Sequence, residues 1–207
     1  QHGTIRDYWN LPQLPLRQGL SSSGQPFILV APTLGKKAAA EFGNLGTDID
    51  SHLDHVMVQL QKLGAPEFPL SKPPDIDQLI IAGHSGAYAS IKSMLSSMKK
   101  YKSKIKEVWA FDIMYQDLSS QLTALGVPVY AYFVVGSDTE DNSRKLAKTK
   151  NANIFVMENV DFTTVKGKVG KTPIKHDNLM QRFWMDRCQR IGTNGTNPED
   201  KKRMVTG

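Results

Sequence analysis

Cysteine is nearly absent from this chain: Cys188 is the only one in 207 residues. A single thiol excludes an internal disulfide framework and any cysteine-based zinc site. It leaves the compartment open. Long apolar runs are missing as well. No stretch reaches the roughly 18 uninterrupted apolar residues of a membrane-spanning helix. The opening Gln1-His2-Gly3-Thr4 has neither a Met nor the apolar region of a signal peptide. The expectation is that a leader or upstream segment has been removed or left out. Aromatic residues are scarce where the positive charge gathers. The net charge of +6 lies mainly in 92–106, in 166–175 and in Lys201-Lys202-Arg203. Only Tyr101 interrupts these runs. The charge therefore reads as solvated surface rather than as a nucleic-acid footprint, which would interleave basic and aromatic side chains.

What is present is ordinary for a soluble globular chain: 40% hydrophobic and 22% charged residues. The length suits one domain with a sizeable core and is short for two. Short continuous apolar runs occur at 27–31, 78–82, 107–111, 127–135 and, more weakly, 153–158. They end at Pro32, Gly83, Asp112 and Gly136 in the first four cases. Runs of this length without polar alternation suit strands buried on both faces of a parallel sheet.

Helical patterns alternate with them. Ile49, Leu53, Val56, Met57, Leu60 and Leu63 recur at helical spacing, with Asp48 placed to cap the start and Gly64 to end it. Residues 87–98, 118–125, 143–150 and 176–191 are the other expected helices. The order strand, helix, strand, helix implies right-handed crossovers and a mostly parallel sheet covered by helices on both faces, a three-layer α/β sandwich. Residues 1–192 form one expected domain. Residues 193–207 are rich in Gly, Asn and Lys and read as a frayed tail.

In a parallel sheet the ligand crevice lies at the carboxyl ends of the strands. One strand end is chemically distinctive: Gly83-His84-Ser85-Gly86, between a strong strand and a strong helix. A serine on so sharp a turn is pushed into the crevice, and Gly83 and Gly86 let the backbone bend. The N–H of Gly86, at the helix start, can stabilise an oxyanion. Of the five histidines, His84 adjoins the serine and cannot easily turn back on it. His52 and His55 lie inside a helix pattern, and His2 in the amino-terminal loop.

Strand, Gly83-His84-Ser85-Gly86, helix resembles the nucleophile turn of the α/β-hydrolase superfamily. His84 to Tyr88, the Phe111-Asp112-Ile113-Met114-Tyr115 segment and His176-Asp177-Asn178 together resemble a little-characterised group of bacterial hydrolase-like proteins. The resemblance spans about 1–190, loosely outside those segments. It departs from the usual turn in having Ala87 where a glycine is common. It implies Ser85 as nucleophile and His176, between the last strand and last helix, as base. The implied acid divides. The commoner superfamily arrangement points to Asp138, after the later strand, whereas the Phe-Asp-x-x-Tyr segment points to Asp112. Asp138 could equally cap a helix, while Asp112 directly ends an apolar strand, where a carboxylate needs partners. His2-Gly3 resembles the loop that supplies a second oxyanion donor, which would come from Gly3 or Thr4. The strand that should precede that loop is missing from the sequence.

The expected activity is acyl transfer through an acyl-enzyme, with a carboxylic ester as default substrate and an amide or peptide as the alternative. No metal or cofactor is called for. His84, Tyr115 and Trp9 are candidate substrate contacts; with Tyr8, Phe42 and Tyr88 the aromatics would favour an apolar group, unless they are core. The partner would be a small-molecule or acyl substrate, with 35–47 as a candidate flap. Two rivals belong to other classes. One is a hydrolase-like binding module without turnover. The other is a phosphate binder, disfavoured because 83–87 lacks the Gly-Lys-Ser/Thr of a P-loop and the glycine spacing of a dinucleotide turn.

Overall fold

The computed structural model describes residues 16–32, 43–64, 71–165, 168–193 and 198–205. In chain order these form α1 (Leu16–Ser22), α2 (Ile49–Leu63), β1 (Leu79–His84), α3 (Tyr88–Ser97), β2 (Ile105–Phe111), α4 (Ser119–Thr123), β3 (Val129–Phe133), α5 (Glu140–Lys148), β4 (Ile154–Glu158), β5 (Val160–Val165), β6 (Lys168–Pro173), α6 (Leu179–Gln189) and α7 (Pro198–Arg203). Strands β1 to β4 form one parallel sheet in the order β1-β2-β3-β4. The α/β class with a parallel sheet is therefore observed.

Because the strands lie side by side in chain order, right-handed crossovers put every intervening helix on one face. Ile91 and Leu95 of α3, Leu122 of α4 and Leu146 of α5 pack there against Val108, Ala110, Val129, Ala131 and Phe133, joined by Ile49 and Leu53 of α2. The alternate residues, Trp109, Phe111, Tyr130, Tyr132 and Met157, meet Leu179, Phe183 and Trp184 of α6 on the opposite face. The apolar runs thus hide a period of two, with Val108, Ala110, Val129, Ala131 and Phe133 facing one way and Trp109, Phe111, Tyr130 and Tyr132 the other. Phe111 stacks on Tyr132 at 5.3 Å, and Tyr132 on Phe183 at 4.3 Å. Helix α1 closes on α6, where Gly19 faces Trp184 so closely that a Cβ would lie 2.6 Å from its ring.

Four sequence expectations change. Residues 27–31 are not a strand. Their side chains do alternate, with Ile28 64% and Val30 41% exposed, but the backbone joins no ladder. They line the same cavity as β1, which pairs only with β2 among the described residues. The second change is the antiparallel hairpin β5–β6 before His176. Third, part of the expected frayed tail is folded. Arg203 is buried, Met204 bridges Met157, and the Val205 N–H donates to the Val156 carbonyl at 2.9 Å. Last, Asp48 occupies the cap position of α2 without a side-chain cap bond. Asp50 instead accepts the N–H groups of Lys99 and Lys100 at 2.8 and 2.9 Å, tying α2 to the approach to β2.

Candidate active site

The first site residue is placed by a backbone turn. His84 ends β1 in extended conformation, φ −128° and ψ 138°. Ser85 then adopts φ +54°, a left-handed conformation that costs a residue with a Cβ about 1–2 kcal/mol. The chain enters a 3-10 turn, Ser85–Ala87, that runs into α3. Small residues permit it. A Cβ on Gly83 would lie 2.3 Å from Ile91 Cδ1 and 3.1 Å from Ala87 Cβ. A larger residue at position 83 would therefore have to displace the Ile91 side chain and crowd Ala87. The Gly86 N–H sits in the first turn of this helical segment, where backbone donors have no intrahelical acceptor.

Asp112 repeats the device one strand along. Its N–H donates to the Tyr132 carbonyl at 2.7 Å, continuing the sheet. Its φ is then +54°, like that of Ser85. The side chain is buried, 1% exposed, yet both oxygens are satisfied. Oδ2 lies 2.6 Å from His176 Nδ1; a carboxylate only accepts, so Nδ1 donates. Oδ1 accepts the Val134 N–H at 3.3 Å and the Thr139 hydroxyl.

His176 reaches Asp112 because the β5–β6 excursion is closed at its base. The Ile174 N–H donates to the Asn159 carbonyl at 2.9 Å, and Asn159 Nδ2 donates to the Ile174 carbonyl at 3.2 Å. The Asn159 N–H in turn donates to the Phe133 carbonyl at 2.7 Å. His176 therefore stands next to the end of β4 although 18 residues of chain number separate it from Glu158. The Asp112 hydrogen bond raises the His176 pKa above its ordinary value, against partial burial.

His84 stacks on His176 with ring centroids 4.4 Å apart. Burial, then the His176 charge, depress its pKa to about 4, so this ring is neutral near pH 7. Its Nε2 is buried without a hydrogen-bond partner. The half-buried Ser85 hydroxyl has no hydrogen bond to His176 or to any other described residue.

Asp138 is exposed, and the carboxylate that His176 bonds is Asp112. Tyr115, 39% exposed, lies 5.5 Å from the Tyr88 ring. His52 lines the apolar cavity, and His55 bonds Gln59 on its own helix. His2, Gly3, Thr4, Tyr8, Trp9 and Phe42, with most of the candidate flap, lie outside the described residues. Sequence reasoning missed Thr139 and Asn159. Thr139 lies between the candidate Asp138 and the expected helix 143–150 with nothing local to mark it, and no local pattern marks Asn159.

A cavity of about 420 Å³ runs along the edge of β1 that is unpaired among the described residues. Its wall includes Gly83, His84 and Ala87 of the serine turn, with Leu79, Ile91 and Trp184. Among the described residues, no helix is long and apolar enough to cross a membrane, and no group of three or more His, Cys, Asp or Glu could hold a metal. No protein-family model, curated protein or solved structure matches the chain.

Proposed function

We propose that this chain is a serine hydrolase of the α/β-hydrolase kind, cleaving a carboxylic ester through Ser85, His176 and Asp112. One observation carries the reading: the Asp112–His176 bond of 2.6 Å, set beside a serine held at φ +54° at the carboxyl end of the neighbouring parallel strand. Strained residues persist where the surrounding structure over-determines them, and they concentrate at functional sites.

Ser85 Oγ attacks the ester carbonyl carbon as its proton passes to His176 Nε2. The carbonyl π pair moves onto oxygen, and the Gly86 N–H stabilises that oxyanion. Collapse of the tetrahedral intermediate expels the alkoxy group, which takes the proton from His176. Water then attacks the acyl-serine, giving its proton to His176, and the second collapse returns Ser85 and releases the acid. Asp112 holds His176 in the tautomer with Nε2 free and stabilises the imidazolium. The apolar cavity beside the turn supports an ester with an apolar acyl or alkoxy group; an amide is the alternative within the same chemistry.

The open contact between Ser85 and His176 favours a second reading, a hydrolase-like binding module without turnover. Labelling by a fluorophosphonate separates the two. The hydrolase labels as native protein and as Asp138→Asn, and fails to label as Ser85→Ala or His176→Ala. Asp112→Asn lowers ester turnover about 10⁴-fold, because the wrong histidine tautomer is stabilised. A folded native protein that neither labels nor hydrolyses p-nitrophenyl esters establishes the binding module instead.

A further inference from the structure

The loop after β3 carries Asp138, one of the two candidate carboxylates in the sequence. What it sends into the site is a hydroxyl. Thr139 is fully buried, and its Oγ1 donates to Asp112 Oδ1, the oxygen that does not face His176. We propose that Thr139 is a positioning residue for the acid–base pair, aiming Asp112 Oδ2 at His176 Nδ1; the proposal rests on the hydrolase reading above.

The direction of the bond follows from the groups at its ends. The Asp112 carboxylate and the Val134 carbonyl only accept. The Thr139 proton therefore goes to Asp112, and the Ser137 hydroxyl, 2.7 Å from the Val134 carbonyl, donates there. Ser137 Oγ stands 2.8 Å from Thr139 Oγ1. The Thr139 carbonyl is fixed as well, accepting the Ser143 hydroxyl at 2.8 Å and the Ser143 N–H at 3.0 Å within the first turn of α5. One residue along this helix, Asn142 Nδ2 donates to the Met114 carbonyl at 2.9 Å. The start of α5 thus grips the Asp112 loop twice, once by its backbone and once by its carboxylate.

Without Thr139, Oδ1 keeps only the Val134 N–H at 3.3 Å. A buried carboxylate with an unfilled lone pair rotates toward other donors, and Oδ2 loses its aim. A displacement of about 1 Å in such a group can cost about 100-fold in rate.

The test compares native protein with Thr139→Val, Thr139→Ser and the neighbouring control Asp138→Asn, by ester kinetics and by NMR of the histidine rings, with the His176 signals assigned from His176→Ala. Thr139→Val is expected to lower kcat about 10–100-fold with KM nearly unchanged. It also moves the His176 Nδ1–H resonance upfield and drops the His176 midpoint toward 6.5. Thr139→Ser restores all three, and Asp138→Asn moves none. If Thr139→Val does not fold, Thr139→Ala is measured in its place. An unmoved or raised His176 midpoint, or Thr139→Ser behaving like Thr139→Val, overturns the proposal. The two ideas fail separately. A native protein without ester turnover sinks the hydrolase reading, while the NMR comparison still decides whether Thr139 aims Asp112.

Discussion

Ser85 and Asp112 both sit at φ +54°, at the ends of adjacent strands whose register pairs His84 with Phe111. The register therefore puts both turns at one level of the sheet. The residue that ends β1, just before the serine, carries a consequence of its own. His84 has a folded pKa of about 4, below the roughly 6.5 of an unfolded chain. Between those values the unfolded chain binds a proton that the folded one refuses, so stability falls as pH drops through the window, by roughly 3 kcal/mol in total. His176 has the opposite sign. Its raised pKa contributes stability that is full below 6.5 and lost as pH rises through the folded value. Urea denaturation of His84→Phe, which keeps a ring against His176, should lose markedly less stability than native protein between pH 7 and pH 4.5. Parallel losses in the two proteins would show that His84 is not the group refusing the proton.

At the scale of elements, the serine turn depends on how closely β1 meets α3. Gly83→Ala places a methyl 2.3 Å from Ile91 Cδ1, in a side chain 1% exposed. Overpacking of this kind costs about 1–3 kcal/mol. Ile91→Val removes the clashing carbon. The double variant is therefore expected to be more stable than the sum of the single losses, by at least about 0.5 kcal/mol in a denaturant cycle; simple additivity would place the strain elsewhere.

Elements also show what was legible. β2 and β3 were legible because 108–111 and Val129–Phe133 are apolar and buried on both faces. The hairpin β5–β6 was missed although Gly167 lies between two stretches containing Thr and Val, because its lysines hid the alternation. Residues 27–31 have strand composition and strand-like alternation. Strand identity requires a partner ladder, which propensity cannot supply.

Across the whole molecule the two sheet edges differ. The β1 edge borders the cavity, while the β4 edge is covered. Met204 and Val205 pair with Met157 and Val156, and the Arg203 guanidinium lies 5.6 Å over Phe162 and donates to the Val160 carbonyl. An uncovered edge strand invites pairing with other chains. Deleting 198–207 should lower Tm by at least about 2–4 °C, the shift for a loss near 1 kcal/mol in a chain of this size, and should promote aggregation on heating. An unchanged Tm and monomeric melting would mean that the segment only rests on the surface.

By itself the sequence determined the α/β class, four of the five strands expected in the parallel sheet, and the turn that lifts Ser85. These follow from apolar period, strand length and small residues at a sharp bend, all local along the chain. Which carboxylate serves His176 was left between Asp112 and Asp138, and only the tertiary structure decided it. That choice depends on where a hairpin returns and on a closure at Asn159, so it rests on hydrogen bonds between residues far apart in sequence. The same holds for Thr139. Its neighbours mark it as a helix start, and its contact with Asp112, 27 residues away, exists only because α5 begins where β2 and β3 lie side by side.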